Sequence, residues 1–131
     1  MLHRDYLQQV IQQFVSTISH SLVRALLDRD MGAAEEVENA IAELVQLDPA
    51  TAMALSPESL VVMMTLSGTG DAVSGYAAYA LMRLSEAYDE MGEHDLAAMR
   101  ADQAYAIADA FHGDVNEIPE ELRAIEERLR G

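Results

Sequence analysis

Apolar residues return every three or four positions along the start of the chain. At about 100° per residue, Leu7, Ile11, Phe14, Val15, Ile18, Leu22 and Ala25 fall on one face, with Gln8, Gln9, Gln12, Gln13, Ser16 and Thr17 opposite. The pattern predicts a long amphipathic helix over 1–30, stopping at Asp30-Met31-Gly32 with Gly32 as a left-handed C-terminal cap. A second helix over 33–47 turns Val37, Ile41, Leu44 and Val45 inward and Glu35, Glu36, Glu38 and Glu43 outward. Asp48-Pro49 ends it, because the residue before a proline is pushed out of helical geometry.

Ser56-Pro57-Glu58 starts a third helix, 57–66, with serine as N-cap and proline at the first helical position. It is so apolar through Leu60, Val61, Val62, Met63, Met64 and Leu66 that the core is its expected place. The stretch 72–91 follows, with Val73, Tyr76, Ala77, Ala80, Leu81, Leu84, Ala87, Tyr88 and Met91 at helical spacing. After a break at Gly92-Glu93-His94 comes an alanine-rich helix over 95–111, ended by Gly113. The last segment, 116–131, has Pro119 and two acids near its start and Arg123, Arg128 and Arg130 toward its end, an order that suits the helix dipole. Its narrow stripe of Leu122, Ile125 and Leu129 marks it as a capping helix. The expected fold is all-α: one domain over 1–131, five to six helices in antiparallel hairpins.

Within 72–111 the order of Leu81, Leu84, Ala87, Tyr88, Gly92, Ala97, Ala101 and Ala104 resembles a tetratricopeptide repeat. It has large residues and a tyrosine on one helix, a turn glycine, and small residues on the next. Ser85 stands where that family often has glycine and Asp109 where it often has proline, and the likeness covers about 34 residues. It implies a hairpin whose alanines let the two helices approach closely, with Tyr88 covering the turn. The whole chain also resembles a family of short bacterial proteins with no assigned activity. The likeness runs through the opening Asp5-Tyr6, the glutamine-rich first helix, the Leu55-Ser56-Pro57-Glu58 helix start and the single repeat-like hairpin. That resemblance implies a fold and no chemistry.

Composition narrows the function. The chain has 131 residues, no cysteine, 23 acidic residues against 8 basic ones and a formal charge of −15, and every basic residue is arginine. Without cysteine there are no disulfides, thiolate metal sites or cysteine nucleophiles, which fits a cytoplasmic setting. Without lysine there is no Walker-type phosphate loop and no Schiff-base chemistry. The acidic excess opposes nucleic-acid binding. Residues 1–27 carry Arg4 and Arg24 against Asp5, so the negative charge lies wholly in 28–131. Tyr6 to Val23 is uncharged for eighteen residues, but its four glutamines and several hydroxyls argue against a membrane span, and they break the apolar run of a secretory signal.

Candidate chemistry is sparse. Ser67-Gly68-Thr69-Gly70-Asp71 opens a helix, but a dinucleotide fingerprint needs a preceding strand and a glycine at Val73; a loop with Asp71 as N-cap is the simpler reading. Of His3, His20, His94 and His112, the best metal pair is Asp109 with His112, whose position at a helix end the dipole explains equally well; Glu90 and His94 are separated by Gly92. The acidic pairs Glu35/Glu38, Glu86/Glu90 and Glu120/Glu121 are expected on solvated faces, and Met63 and Met64 in the core. Tyr76, Tyr79, Tyr88 and Tyr105 are candidates to line a groove. No catalytic residue, cofactor or metal is expected. The role expected is a non-enzymatic helical scaffold for protein–protein interaction or self-association, the alternative being an acidic decoy that occupies a basic nucleic-acid-binding protein. The neutral polar face of the first helix, Gln9, Gln12, Gln13 and Ser16, is the expected seam of a homodimer.

Overall fold

Capping chemistry divides the chain into more helices than its apolar periodicity suggests. The computed structural model describes residues 2–130, and side chains from Asp5 onward. It is all-helical: α1 (Leu2–Leu27), α2 (Met31–Leu44), α3 (Pro49–Ala54), α4 (Pro57–Ser67), α5 (Gly70–Glu90), α6 (His94–Ala110) and α7 (Arg123–Arg130), with a 3-10 turn over Glu120–Leu122 before α7. Seven α-helices stand where five to six were expected. The addition is α3. Asp48, read from the sequence only as a stop, is also a start: its side chain accepts from the Thr51 amide at 3.2 Å, and Pro49 takes the first helical position.

Other boundaries move for the same kind of reason. The first helix ends at Leu27, not residue 30, and Asp30 caps α2 by accepting from the Ala33 amide at 3.1 Å. Gly32 therefore lies in the first turn of α2 and caps nothing. The left-handed residues that close three of the helices are Arg29, Gln46 and His112, at φ 52°, 63° and 62°. Side chains rarely take that conformation, so they give no glycine signal. After Gln46 and His112 the chain folds back so that the amides of Leu47 and Gly113 reach the carbonyls of Ala42 and Ala108 at 2.9 and 2.7 Å. Gly92, at φ 82°, makes the same closure after α5, where the Glu93 amide reaches the Tyr88 carbonyl at 2.9 Å. α5 begins at Gly70 after Thr69, so Asp71 sits in the first turn and not at the N-cap. The expected capping helix over 116–131 is reduced to the 3-10 turn and the eight residues of α7, anchored by buried Leu122 and Ile125.

α5 and α6 form an antiparallel hairpin. Ser85 Oγ donates to the Ala97 carbonyl at 2.6 Å near the turn, and a Cβ added to Gly70 at the far end would meet the ring of Phe111. Leu81, Leu84, Tyr88, Ala97 and Ala104 are all buried, Ala101 partly so, and Gly92 makes the reversal. α1 and α2 form a second antiparallel pair: Ser21 and Arg24 meet Glu36, while Phe14 and Thr17 face Ala40, Glu43 and Leu44. α1 and α2 pack on one side of α5, α4 packs chiefly on α6, and α7 rests against α1. With 26 residues, about 39 Å at 1.5 Å each, α1 outruns α2. Its deepest residues, Phe14, Ile18, Leu22 and Ala25, all belong to the covered part.

Candidate functional site

Charged groups inside the helix stack hold the peripheral elements to the hairpin. Arg100 of α6 is 3% exposed. Its guanidinium donates to Glu38 of α2 at 3.1 Å, to the Met53 carbonyl of α3 at 3.0 Å and to Gln103 Oε1 at 2.9 Å, and Gln103 in turn donates to the Leu55 carbonyl at 3.0 Å. One arginine thus ties three helices, and its fork geometry is what lets it serve three acceptors. The same Glu38 oxygen accepts from the Tyr88 hydroxyl at 2.7 Å. Tyr88 does more than cover the α5–α6 turn, as the repeat resemblance implied; its phenol reaches another helix. Glu38 and Glu86, expected on solvated faces, are half-buried for the same reason: each holds an arginine.

A second cluster fixes α7. Arg83 donates to both carboxylate oxygens of Glu86 at 2.8 Å, and its Nε lies 3.7 Å from Glu126, within ion-pair range but without a hydrogen bond. Glu126 accepts from the Tyr79 hydroxyl and from Arg130, both at 2.7 Å, and the Arg83 guanidinium stands 5.4 Å from the centre of the Tyr79 ring. Tyr76 completes the set by donating to Glu121 at 2.7 Å. Three of the four tyrosines that were candidates to line a groove, Tyr76, Tyr79 and Tyr88, therefore point their hydroxyls at carboxylates of other elements. Burial first, then the carboxylate each one faces, pushes the phenols of Tyr76, Tyr79 and Tyr88 far above their ordinary range. Conversely, the Tyr76 hydrogen bond holds Glu121, and the Ser21 hydrogen bond holds Glu36, below the usual carboxylate range.

The residues expected at a seam, Gln9, Gln12, Gln13 and Ser16, are all exposed on α1. Gln9 and Gln13 border a shallow groove beside α2, and Gln12 borders another beside the turn that carries Glu121. The least solvated apolar stripe of α1 is turned inward, so this face presents mainly neutral polar groups.

A different surface is richer in uncovered apolar area. On α4 only Leu60 and Met64 are buried, while Val62, Met63 and Leu66 are 54%, 38% and 76% exposed. This corrects the expectation of a core helix, and of Met63 as core filler. α4 lies at the edge of the stack with α6 on one side, and a helix that is apolar all round but covered on one face leaves the rest in water. Tyr105, on the helix that α4 packs against, is exposed as well.

The histidines bring nothing together. His94 bonds Asp89 at 2.6 Å on an open surface, His112 sits in the left-handed closure of α6, and the His3 side chain lies outside the described residues. Among the described residues no three His, Cys, Asp or Glu side chains are grouped to hold a metal, and no helix is long and apolar enough to cross a membrane. No family model matches the chain, and neither a curated protein nor a solved structure does.

Proposed function

We propose that the protein is a non-enzymatic helical interaction module that pairs with a second copy of itself through the outer face of α4. The observation that carries this reading is the exposure of Val62, Met63 and Leu66 on one edge helix. Contiguous uncovered apolar surface of this kind marks interaction sites.

The occupant follows from charge. Two copies of a chain with a formal charge of −15 repel wherever acidic surfaces meet, and a two-fold axis sets the same patch of each copy against the other. A neutral face escapes this; α1 and α4 both offer one, and that of α4 is the apolar one. Between Glu58 and Asp71 twelve successive residues carry no charge, and they include the whole exposed α4 stripe. A basic partner, by contrast, would be drawn to the acidic helices elsewhere.

Light scattering at micromolar concentration tests the reading. The unmodified chain should be a dimer, and Leu66→Glu should weaken it at least 100-fold, about 2.7 kcal/mol, while its thermal melt stays close to that of the parent monomer. A monomeric parent would sink the proposal. So would dissociation by Gln9→Glu with Gln13→Glu alongside an intact Leu66→Glu dimer, an outcome that moves the seam to α1.

A further inference from the structure

The chain has no cysteine, so its only sulfur is the thioether of its eight methionines. Among the described residues Met53 and Met64 are buried, three others are half-buried, and Met31 and Met63 are each 38% exposed. The two exposed thioethers differ in setting. Met31 opens α2, which is not one of the helices on which α4 packs, whereas Met63 belongs to the apolar stripe of α4.

Along α4 the exposed residues Ser59, Val62, Met63 and Leu66 stand three and four apart and so share one face. Val62 and Met63 are the middle of it. In an isologous pair the two-fold axis passes through the centre of the shared patch, so central residues lie closest to their own images, while Leu66 meets the Ser59 end of the second copy. Met63 is therefore the exposed sulfur that pairing covers, and each pair brings two of them to its centre.

Oxidation changes the chemistry of that centre. A peroxide transfers one oxygen to a thioether: a sulfur lone pair attacks the peroxide oxygen, the O–O bond breaks, sulfur gives up two electrons, and hydrogen peroxide leaves as water. The sulfoxide so formed is a polar hydrogen-bond acceptor. Val62, Met63 and Leu66 offer it no donor, so pairing buries an unanswered acceptor from each copy. We infer that Met63 is a modification site that switches the α4 pairing: oxidation to the sulfoxide releases the two copies, and thiol-dependent reduction, in which the oxygen leaves as water and two thiols become a disulfide, lets them pair again. The switch rests on the pairing proposed above. Because the pair covers the thioether, oxidant reaches it through the free monomer, and each oxidised monomer is withdrawn from the equilibrium.

Hydrogen peroxide added to the full chain, followed by light scattering and by mass spectrometry of its peptides, tests the switch. The parent dimer should fall to monomer as Met63 sulfoxide accumulates, its dissociation constant rising roughly tenfold or more. Reduction by methionine sulfoxide reductases of both epimer specificities should restore it. Above the dissociation constant Met63 should oxidise more slowly than in dilute solution, while Met31 keeps a single rate. Met63→Leu should stay paired through the same treatment, and Met31→Leu should dissociate as the parent does. Met63→Gln, a neutral polar side chain of similar length, should weaken pairing by a comparable factor without oxidant, which keeps the test alive if the leucine variant does not pair. Equal dissociation of the parent and Met63→Leu would overturn the proposal, as would pairing unaltered by Met63→Gln. A parent chain already monomeric before oxidant removes the pairing itself, whereas a dimer that persists with Met63 fully oxidised removes only the switch.

Discussion

Arg100→Met should lower the unfolding free energy by about 3–5 kcal/mol, the expected cost of removing one member of a buried ion pair. The methionine fills much of the space, so the loss is not that of a cavity. It arises because Glu38 would keep its charge with only the Tyr88 hydroxyl to answer it, while Gln103 Oε1 and the Met53 carbonyl would lose their donor. Arg100→Lys should recover little, since a single ammonium cannot reach all three acceptors in the planes the guanidinium uses. Urea denaturation gives the measurement. In a Glu38→Gln background the cost of Arg100→Met should shrink by about 0.5–3 kcal/mol, because the orphaned charge is then absent. A loss below about 1 kcal/mol in the parent would mean that desolvation of the arginine offsets its bonds, and the network would not be what holds α2 and α3 to α6.

Raising the pH past 10 should unfold the protein steeply. The phenols of Tyr76, Tyr79 and Tyr88 are all raised above the ordinary tyrosine value of 10.0, so their contribution is fully present below pH 10 and is lost as the pH climbs toward the folded values. In that window the unfolded chain releases up to three protons that the native chain retains. The slope is about 1.4 kcal/mol per pH unit for each proton, so up to about 4 kcal/mol per pH unit for three. Tyr76, the least buried of the three, contributes least. Far-ultraviolet circular dichroism and tyrosinate absorbance, followed together, check this: part of the absorbance should appear only as helix is lost. Full tyrosinate absorbance ahead of any loss of helix would contradict the assignment, and changing the three tyrosines to phenylalanine should flatten the slope.

Much of the helical architecture is legible in the sequence, because α1, α2, α5 and α6 bury faces that recur at helical spacing and because Gly92, Pro57 and Ser56 act locally as their chemistry suggests. What escapes are features decided by neighbours. Arg29, Gln46 and His112 close helices in a conformation more usual for glycine, and nothing in their side chains announces it. Asp48 serves at once as the end of one helix and the cap of the next. The α4 sequence is hydrophobic enough for a core helix, and only its place at the edge of the stack decides which residues meet water. The buried polar network left a faint trace: Arg83 and Arg100 are isolated cations set among alanines and leucines at helical spacing in a chain short of positive charge. Their partners Glu38 and Glu126 look like any other solvated acid, since the pairing depends on tertiary contact.

The bonds that fasten the outer helices to the hairpin also set an order of events. Ser85 and Ala97 are 12 residues apart, whereas the pairs Tyr76–Glu121, Tyr79–Glu126, Tyr88–Glu38 and Arg100–Glu38 span 45, 47, 50 and 62. Closing long loops costs chain entropy before any bond repays it, so α5 and α6 can meet early while the fastenings form late on the folding route. Substitutions in the hairpin should therefore slow refolding, whereas substitutions such as Tyr79→Phe or Arg100→Met should leave refolding nearly unchanged and steepen escape from the native state, a division that a denaturant chevron resolves into its two limbs. The charged fastenings thereby govern how long the assembled protein persists more than how quickly it is made.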